Sequence, residues 1–293
     1  MVGMVSVIVV SYNTREITLE CLEKLHESTG VEMEVIVVDN DSRDRSVEAI
    51  KKRFPKVTIV LNRQNTGFGV ANNQGMSLAK GDKILLLNSD CFVTPTTIST
   101  LEKAMQAISD TSVVGCRLLN KDGSLQPSYG YFPTLLRIFS LMFFIDNLPV
   151  ARKFFKSIHV RDVSRYQRVA EVDWVMGALV LLNKKVWERA GGFDENYFMY
   201  GEEVEWMYRI KQAGFTIRYI PQAEATHLGG ASSPDMSPAI VGEIKGWKYW
   251  FSKYHQGWQQ LVLPVVVTLG CILRIILKPK LAKFYLQAIF KVW

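Results

Sequence analysis

Cysteine is scarce in this chain and carries no pattern. The four present, Cys21, Cys91, Cys116 and Cys271, are scattered through 293 residues with no C-x-x-C pair or other ligand spacing, which excludes a disulfide framework and a thiolate metal site. They are expected to be packing residues in a reducing, cytoplasmic setting. A leader is missing too: the apolar run VSVIVVSYN begins at Val5, with no basic segment before it and no small-residue cleavage site after it, so no signal peptide is expected. Acids are missing from the end. Ile244 to Trp293 holds eight Lys and Arg and no Asp or Glu, leaving 27 basic against 28 acidic residues elsewhere. That distribution excludes a nucleic-acid enzyme with a charged cleft and directs the basic segment to an anionic membrane surface. A long apolar run is absent as well: Leu261 to Leu273 gives 13 uncharged residues before Arg274, short of the roughly 20 that span a bilayer. A monotopic or re-entrant anchor is expected there, with a packed helix or a homo-oligomer interface as the alternative.

What is present is regular. With 48% hydrophobic residues the chain can bury one large α/β core. Residues 5 to 115 alternate short apolar runs (VSVIVV, VIVVD, VTIVLN, KILLLNSD) with helical stretches, from about Asp44 to Phe54, from Gly69 to Lys80, and after Thr94-Pro95. Continuous apolar runs in βαβα order predict a parallel sheet covered on both faces. Such sheets bind ligands beyond the carboxyl ends of their strands. Three polar clusters fall on that rim: Ser11-Tyr12-Asn13, Asp39-Asn40-Asp41 and Asn88-Ser89-Asp90. Turn and cap chemistry accounts equally well for Asn13, Thr14, Asp41 and Ser42. Asp39 ends an apolar run without an evident cap to serve, so it is expected to touch ligand. The glycines of Asn65-Thr66-Gly67-Phe68-Gly69 open a helix where backbone N–H groups can meet a phosphate. G-x-G-x-x-G straight after the first strand is absent, which excludes a Rossmann dehydrogenase.

Two further groups carry chemistry. Glu202 and Glu203 follow Gly201 and open a helix; complementing the helix dipole explains one of them, and about 100° of rotation lets the other face a cleft. His227 follows the strand TIRYIP and begins HLGGASS. A carboxylate such as Asp90, a second carboxylate and a histidine, each at the end of a strand or helix, are enough to hold a metal and run a base.

The segments SVIVVSYN, VVDNDSRD, NTGFGVANNQG, LLLNSD, VMGALVLLNKKVWERAGGFDENYFMYGEEVEW and ATHLGGASS, in this order over roughly residues 4 to 233, resemble glycosyltransferase family 2, and most of all its bacterial rhamnosyltransferase-like subgroup. The resemblance implies a GT-A fold: a Rossmann-like, mostly parallel central sheet flanked by helices. It implies an inverting enzyme that uses a divalent metal and a nucleotide-diphosphate sugar. The metal, Mn²⁺ or Mg²⁺ completed by phosphate oxygens, would sit on the carboxylate of Asp90 and the imidazole of His227, with Asn88 standing where the general motif has a first carboxylate. Glu203 would be the catalytic base and Glu202 would orient the acceptor. Ser11, Tyr12, Asn13, Asp39, Asn65, Gly67, Asn72, Asn88, Ser89 and Asp90 would hold the donor, Asp39 on the N3–H that uracil and thymine share. Trp174 and Gly177, on the strand expected over Asp173 to Leu182, would meet the acceptor sugar.

The organisation expected is a catalytic domain over 1–240, its nucleotide half at 1–115 and its acceptor half at 116–240, followed by a basic, aromatic, hydrophobic helical segment at 241–293. Within the acceptor half, residues 131–170 join an apolar run, Leu135 to Ile145, to Arg152, Lys153, Lys156, Arg161, Arg165 and Arg168, either a solvated linker or a seat for a lipid diphosphate. In the tail, Trp247, Trp250, Phe251, Tyr254 and Trp258 share a helical face, the pattern of an interfacial helix. The expected enzyme is non-processive, because the chain has no Q-x-x-R-W motif and no set of long spans. It adds one sugar, rhamnose by resemblance, from a UDP- or dTDP-sugar to a polyprenyl-diphosphate-linked or other surface glycan at the cytoplasmic face of the membrane. The alternatives are a sugar nucleotidyltransferase, disfavoured because SYNTRE rather than a basic glycine-rich loop follows the first strand, and a non-catalytic membrane scaffold.

Overall fold

The computed structural model describes residues 3–108, 111–148, 150, 156–230 and 237–293. Its strands are β1 (Val5–Ser11), β2 (Met33–Asp39), β3 (Thr58–Leu61), β4 (Lys83–Asn88), β5 (Cys91–Val93), β6 (Thr111–Leu119), β7 (Leu125–Gln126), β8 (Tyr129–Gly130), β9 (Ala170–Glu171), β10 (Trp174–Val175), β11 (Leu179–Asn183) and β12 (Thr216–His227). Its helices are α1 (Arg15–His26), α2 (Ser46–Arg53), α3 (Phe68–Leu78), α4 (Thr97–Ala107), α5 (Leu135–Met142), α6 (Lys184–Ala190), α7 (Glu202–Gln212), α8 (Ser237–Tyr254), α9 (Trp258–Leu277) and α10 (Ala282–Val292).

The alternation of side chains along β1 builds two cores. Val5, Val7 and Val9 pack with Leu22 and Leu25 of α1, while Ile8 packs with Ala71 and Met76 of α3. At about 1.5–3 kcal/mol for each fully buried aliphatic side chain, a strand apolar on both faces is stable only between two helical layers. The main sheet runs β3-β2-β1-β4-β11-β6-β12-β5. β3, β2, β1 and β4 are parallel, β6 and β12 are parallel, and β11 lies antiparallel between β4 and β6. Register puts Ser11 beside Asp39 and Val10 beside Asn88, so the three polar clusters share one rim. All four cysteines are free and buried, as packing residues.

The stretch Asp173 to Leu182 is two strands and not one. β10 pairs with β8 in a small sheet of its own, β11 lies in the main sheet, and Met176-Gly177-Ala178 crosses between them. The Met176 N–H goes to Ser128 O (2.8 Å), whereas Ala178 O accepts from Asn88 N (2.9 Å). Gly177, at this crossing, lies under Phe68 and Glu203.

The tail departs further from the sequence reading. Trp247, Trp250 and Phe251 of α8 are buried in the main core, Trp250 stacking on Phe132 and meeting Tyr208 edge to face. These three members of the aromatic face expected at a membrane are therefore packed on the catalytic body, whereas Trp258 begins the next helix and is 65% exposed. Lys253 fastens α8, bonding Glu205 (2.7 Å) and Asp194 (2.6 Å). The next helix, α9, runs 20 residues and is long and apolar enough to cross a membrane by length and composition, longer than the 13-residue run because it begins at Trp258 and Arg274 does not end it. The Arg274 guanidinium turns back over the Phe144 ring, 4.3 Å from its centroid, and donates to Leu141 O. α9 buries Leu263, Val267 and Cys271, but its other face is open: Leu261 is 75% exposed and Ile276 70%, and Phe290 on the adjoining α10 is 80% exposed. In the basic segment, Arg152 and Lys153 lie outside the described residues, and Lys156 sits over the Tyr131 ring.

Candidate active site

A cleft of about 820 Å³ opens beyond the rim, walled by the ends of β1 and β4, the loop before α3, the start of α7, and α8. Asp90 follows β4 and immediately precedes β5, which pairs antiparallel with the end of β12 so that Cys91 lies opposite His227. This pairing brings Asp90 Oδ1 and His227 Nε2 to 3.3 Å. Gln126 of β7 sets the imidazole. Its Nε2 donates to Asn120 Oδ1 (3.0 Å) and His227 O (3.3 Å), leaving Oε1 to face His227 Nδ1 at 2.7 Å. Nδ1 therefore carries the proton. The Asn88 amide, 3.4 Å from Nε2, is a donor to the same lone pair. An imidazole nitrogen and a carboxylate oxygen facing each other at this distance are donor atoms that suit a divalent cation, with Gln126 as its outer-sphere support. Among the described residues no cluster of three or more His, Cys, Asp or Glu could hold a metal. Among the described residues Asp90 and His227 are thus two candidate ligands, and a metal there would need others from a bound substrate. Sequence reasoning missed Gln126; its signal lies in a two-residue strand.

The nucleotide side is held by turns. Asp39 is buried, and its Oδ2 caps the turn at Ser42 N (2.9 Å), a cap the sequence reading did not find. Its Oδ1 is buried with no hydrogen-bond partner, an acceptor awaiting a donor. Asn40 braces the loop before α3, accepting from Asn62 (2.8 Å) and Thr66 (3.0 Å) and donating to Gly67 O (3.0 Å). Gly67 has φ +84° and lies against Phe198 O, where a side chain would not fit.

The opposite wall is the start of α7. Tyr200 (φ 73°) and Gly201 (φ 97°) both adopt left-handed backbone, a strained turn that aims the next two residues into the cleft. Glu202 is buried, and its Oε2 has no partner. Burial first, and the neighbouring Glu203 second, push its carboxyl well above the usual range. Burial likewise raises Glu203, against the pull of backbone N–H groups at the helix start and of His159. A carboxylate with raised proton affinity is a stronger base.

Of the residues expected to bind donor, Tyr12, Asn65, Gly67, Asn88, Ser89 and Asp90 line the cleft, as do Trp174, Gly177, Glu202, Glu203 and His227. Ser11, Asn13, Asp39 and Asn72 are not among the lining residues. The Ser11 hydroxyl bonds Thr18 (3.1 Å), and the Asn72 amide donates to Phe68 O one turn back (3.0 Å), so both side chains are occupied within the fold. Asn13 ties two rim loops, accepting from Arg43 N (2.8 Å). Trp174 is a buried wall whose Nε1 donates to Tyr131 O (3.3 Å), not an exposed platform. His159, Glu243, Trp247 and Trp250, none of them predicted, line the cleft as well.

The profile described as Glycosyl transferase family 2 matches residues 6–164. The chain belongs to glycosyltransferase family 2. This membership sets aside the nucleotidyltransferase and scaffold readings. Over 274 residues, 88% of this chain and 87% of the relative, it is 26% identical to the N-acetylglucosaminyl-diphospho-decaprenol L-rhamnosyltransferase of Mycobacterium tuberculosis. It is 27% identical over 233 residues to the rhamnosyltransferase WbbL of Escherichia coli, covering 76% of this chain and 83% of that one. The mannosyltransferase PcManGT of Pyrobaculum calidifontis, solved with GDP-Man and Mn²⁺, aligns with a TM-score of 0.63 at 16% identity over 99% of this chain and 87% of its own, a likeness of fold. The protein is a rhamnosyltransferase-like glycosyltransferase with a GT-A-type α/β fold.

Proposed function

We propose that this glycosyltransferase transfers one sugar, rhamnose, from a UDP- or dTDP-sugar to a hydroxyl of a lipid-diphosphate-linked glycan, with inversion, at the cytoplasmic face of the membrane. The observation that carries the reading is the pairing, across one cleft, of a carboxylate of raised basicity, Glu203, with the Asp90–His227 pair. Glu203 removes the proton of the acceptor hydroxyl as that oxygen attacks the anomeric carbon, and the bond to the diphosphate breaks on the other side; a single displacement inverts configuration. Asp39 Oδ1 accepts the pyrimidine N3–H. Glu202, its carboxyl raised by burial, orients the acceptor. A divalent cation on Asp90 and His227 would neutralise charge on the departing diphosphate.

The lipid-linked acceptor is supported by the mycobacterial relative, whose name specifies such a substrate, and by the open apolar face of α9 and α10. Lys278, Lys280, Lys283 and Lys291 accompany that face with no acid near them in sequence, which suits an anionic bilayer. The test is thermal stabilisation by UDP and dTDP, with and without Mn²⁺, on wild type and Asp90→Ala, followed by sugar transfer. Metal-dependent stabilisation by one nucleotide, lost in Asp90→Ala, is expected, with Glu203→Gln binding nucleotide normally but transferring nothing. A folded protein stabilised by neither nucleotide, or a Glu203→Gln variant with normal turnover, refutes it.

A further inference from the structure

α8 reaches the cleft because two glycines let it. A Cβ at Gly242 would stand 2.6 Å from Tyr200 Cδ2 and 3.1 Å from Met199 O, and one at Gly246 would stand 2.8 Å from Tyr200 O. The helix backbone therefore lies directly on the strained loop that aims Glu202 and Glu203. Glu243, between the two glycines, lines the cleft, and its Oε1 accepts from His159 Nε2 at 2.8 Å. His159 arrives from a different segment, pinned by a β-bridge to Gly130 and by an edge-to-face contact with Trp174, ring centroids 5.3 Å apart. Both members of the pair are about a third exposed (35% and 36%) and both act electrostatically on Glu203. Among the described residues, Glu243 Oε2 and His159 Nδ1 make no hydrogen bond. Trp174, Trp247 and Trp250 line the same cleft.

A carboxylate with a free oxygen, fixed by an imidazole in the wall of a cleft, is chemistry that holds a saccharide: hydroxyls of the sugar donate to the oxygen. We propose that Glu243 and His159 form the acceptor-sugar subsite. Glu243 Oε2 accepts from a hydroxyl next to the nucleophilic one, and His159 is the positioning residue that fixes the carboxylate, so that the attacking oxygen meets Glu203. The proposal rests on the transferase reading above and deepens it by naming the residues that recognise the acceptor.

The experiment measures transfer from dTDP-rhamnose or UDP-sugars to N-acetylglucosaminyl diphosphate carrying a short alkyl chain, on the full chain, for wild type, Glu243→Gln and His159→Gln. Loss of a hydrogen bond to a charged group predicts an acceptor KM raised about tenfold or more. That rise should exceed any fall in kcat, while nucleotide affinity and Tm stay at wild-type values. The two variants break one pair from two unrelated segments, so either one alone decides if the other fails to fold. Wild-type acceptor KM in a folded variant overturns the subsite while leaving the transferase reading standing, and so does a loss of nucleotide affinity that matches the loss of transfer. A wild-type protein that binds no nucleotide and turns over no donor overturns both.

Discussion

Gln126 offers the sharpest test of how the Asp90–His227 pair works. Its amide is oriented by two acceptors, Asn120 Oδ1 and His227 O, and so its carbonyl holds the proton on His227 Nδ1 at 2.7 Å. Gln126→Leu removes that acceptor, releasing both the tautomer and the rotation of the ring. Loss of such an outer-sphere partner weakens metal binding about 10- to 100-fold, or about 1.4–2.7 kcal/mol. Calorimetric titration of Mn²⁺ in the presence of dTDP or UDP should show that drop, with nucleotide binding in the absence of metal unchanged. Gln126→Glu supplies a better acceptor at the same place and should retain wild-type Mn²⁺ affinity or exceed it. Equal Mn²⁺ affinity in wild type and Gln126→Leu would refute the argument, and so would Asp90→Ala binding Mn²⁺ as wild type does.

The remaining predictions concern the fold around the site. Glu205 is fully buried and bonded by Arg209, Lys253 and Tyr254, so Glu205→Gln should cost about 3–5 kcal/mol in urea unfolding. Burial alone would raise the Glu205 carboxyl, but those hydrogen bonds win and hold it below its usual range. A depressed carboxyl stabilises the protein above the ordinary carboxylate range. The contribution is lost as pH falls through the lowered folded value, so the variant's deficit should vanish in acid; a deficit constant with pH would show that packing and not charge is responsible. Gly246→Ala, crowding Tyr200 O, should destabilise by about 1–3 kcal/mol and lower kcat by shifting the loop before Glu203; an unchanged Tm and kcat would mean that α8 can move away freely. For the membrane face, Leu261→Asp with Phe290→Asp should release the protein from anionic vesicles in a flotation assay while leaving Tm within a few degrees, since both side chains are exposed; persistent flotation would locate membrane binding elsewhere. Deletion after residue 244 is a poorer test, because it removes Trp247, Trp250 and Phe251 from the core.

What the sequence made legible follows from the range of the interactions. Strands β1, β2 and β4 were readable because burial on both faces forces a continuous apolar run, and their rim followed because parallel strands end together. That Glu203 and His227 would meet at one cleft was readable through motif context. Gln126, His159 and Glu243 were not, since each owes its place to a pairing distant in sequence: β7 on β6, a single bridge to Gly130, and a helix lying on a loop more than forty residues upstream. The aromatic face of α8 was found by its period but assigned to the wrong environment, because spacing reports which side chains share a face and is silent on what covers it. A bilayer and a protein core make the same demand on Trp247, Trp250 and Phe251. The feature in the sequence that separates the two is the pair Gly242 and Gly246, one turn apart, which leaves the helix no bulk at the position where it meets Tyr200. A helix shaped for close approach to protein has its aromatic neighbours facing protein as well. By the same reasoning, the helix to suspect at the membrane is α9, whose Gly270 faces Met142 of α5 while Leu261, Val265, Leu269 and Ile276 on the other face stay open.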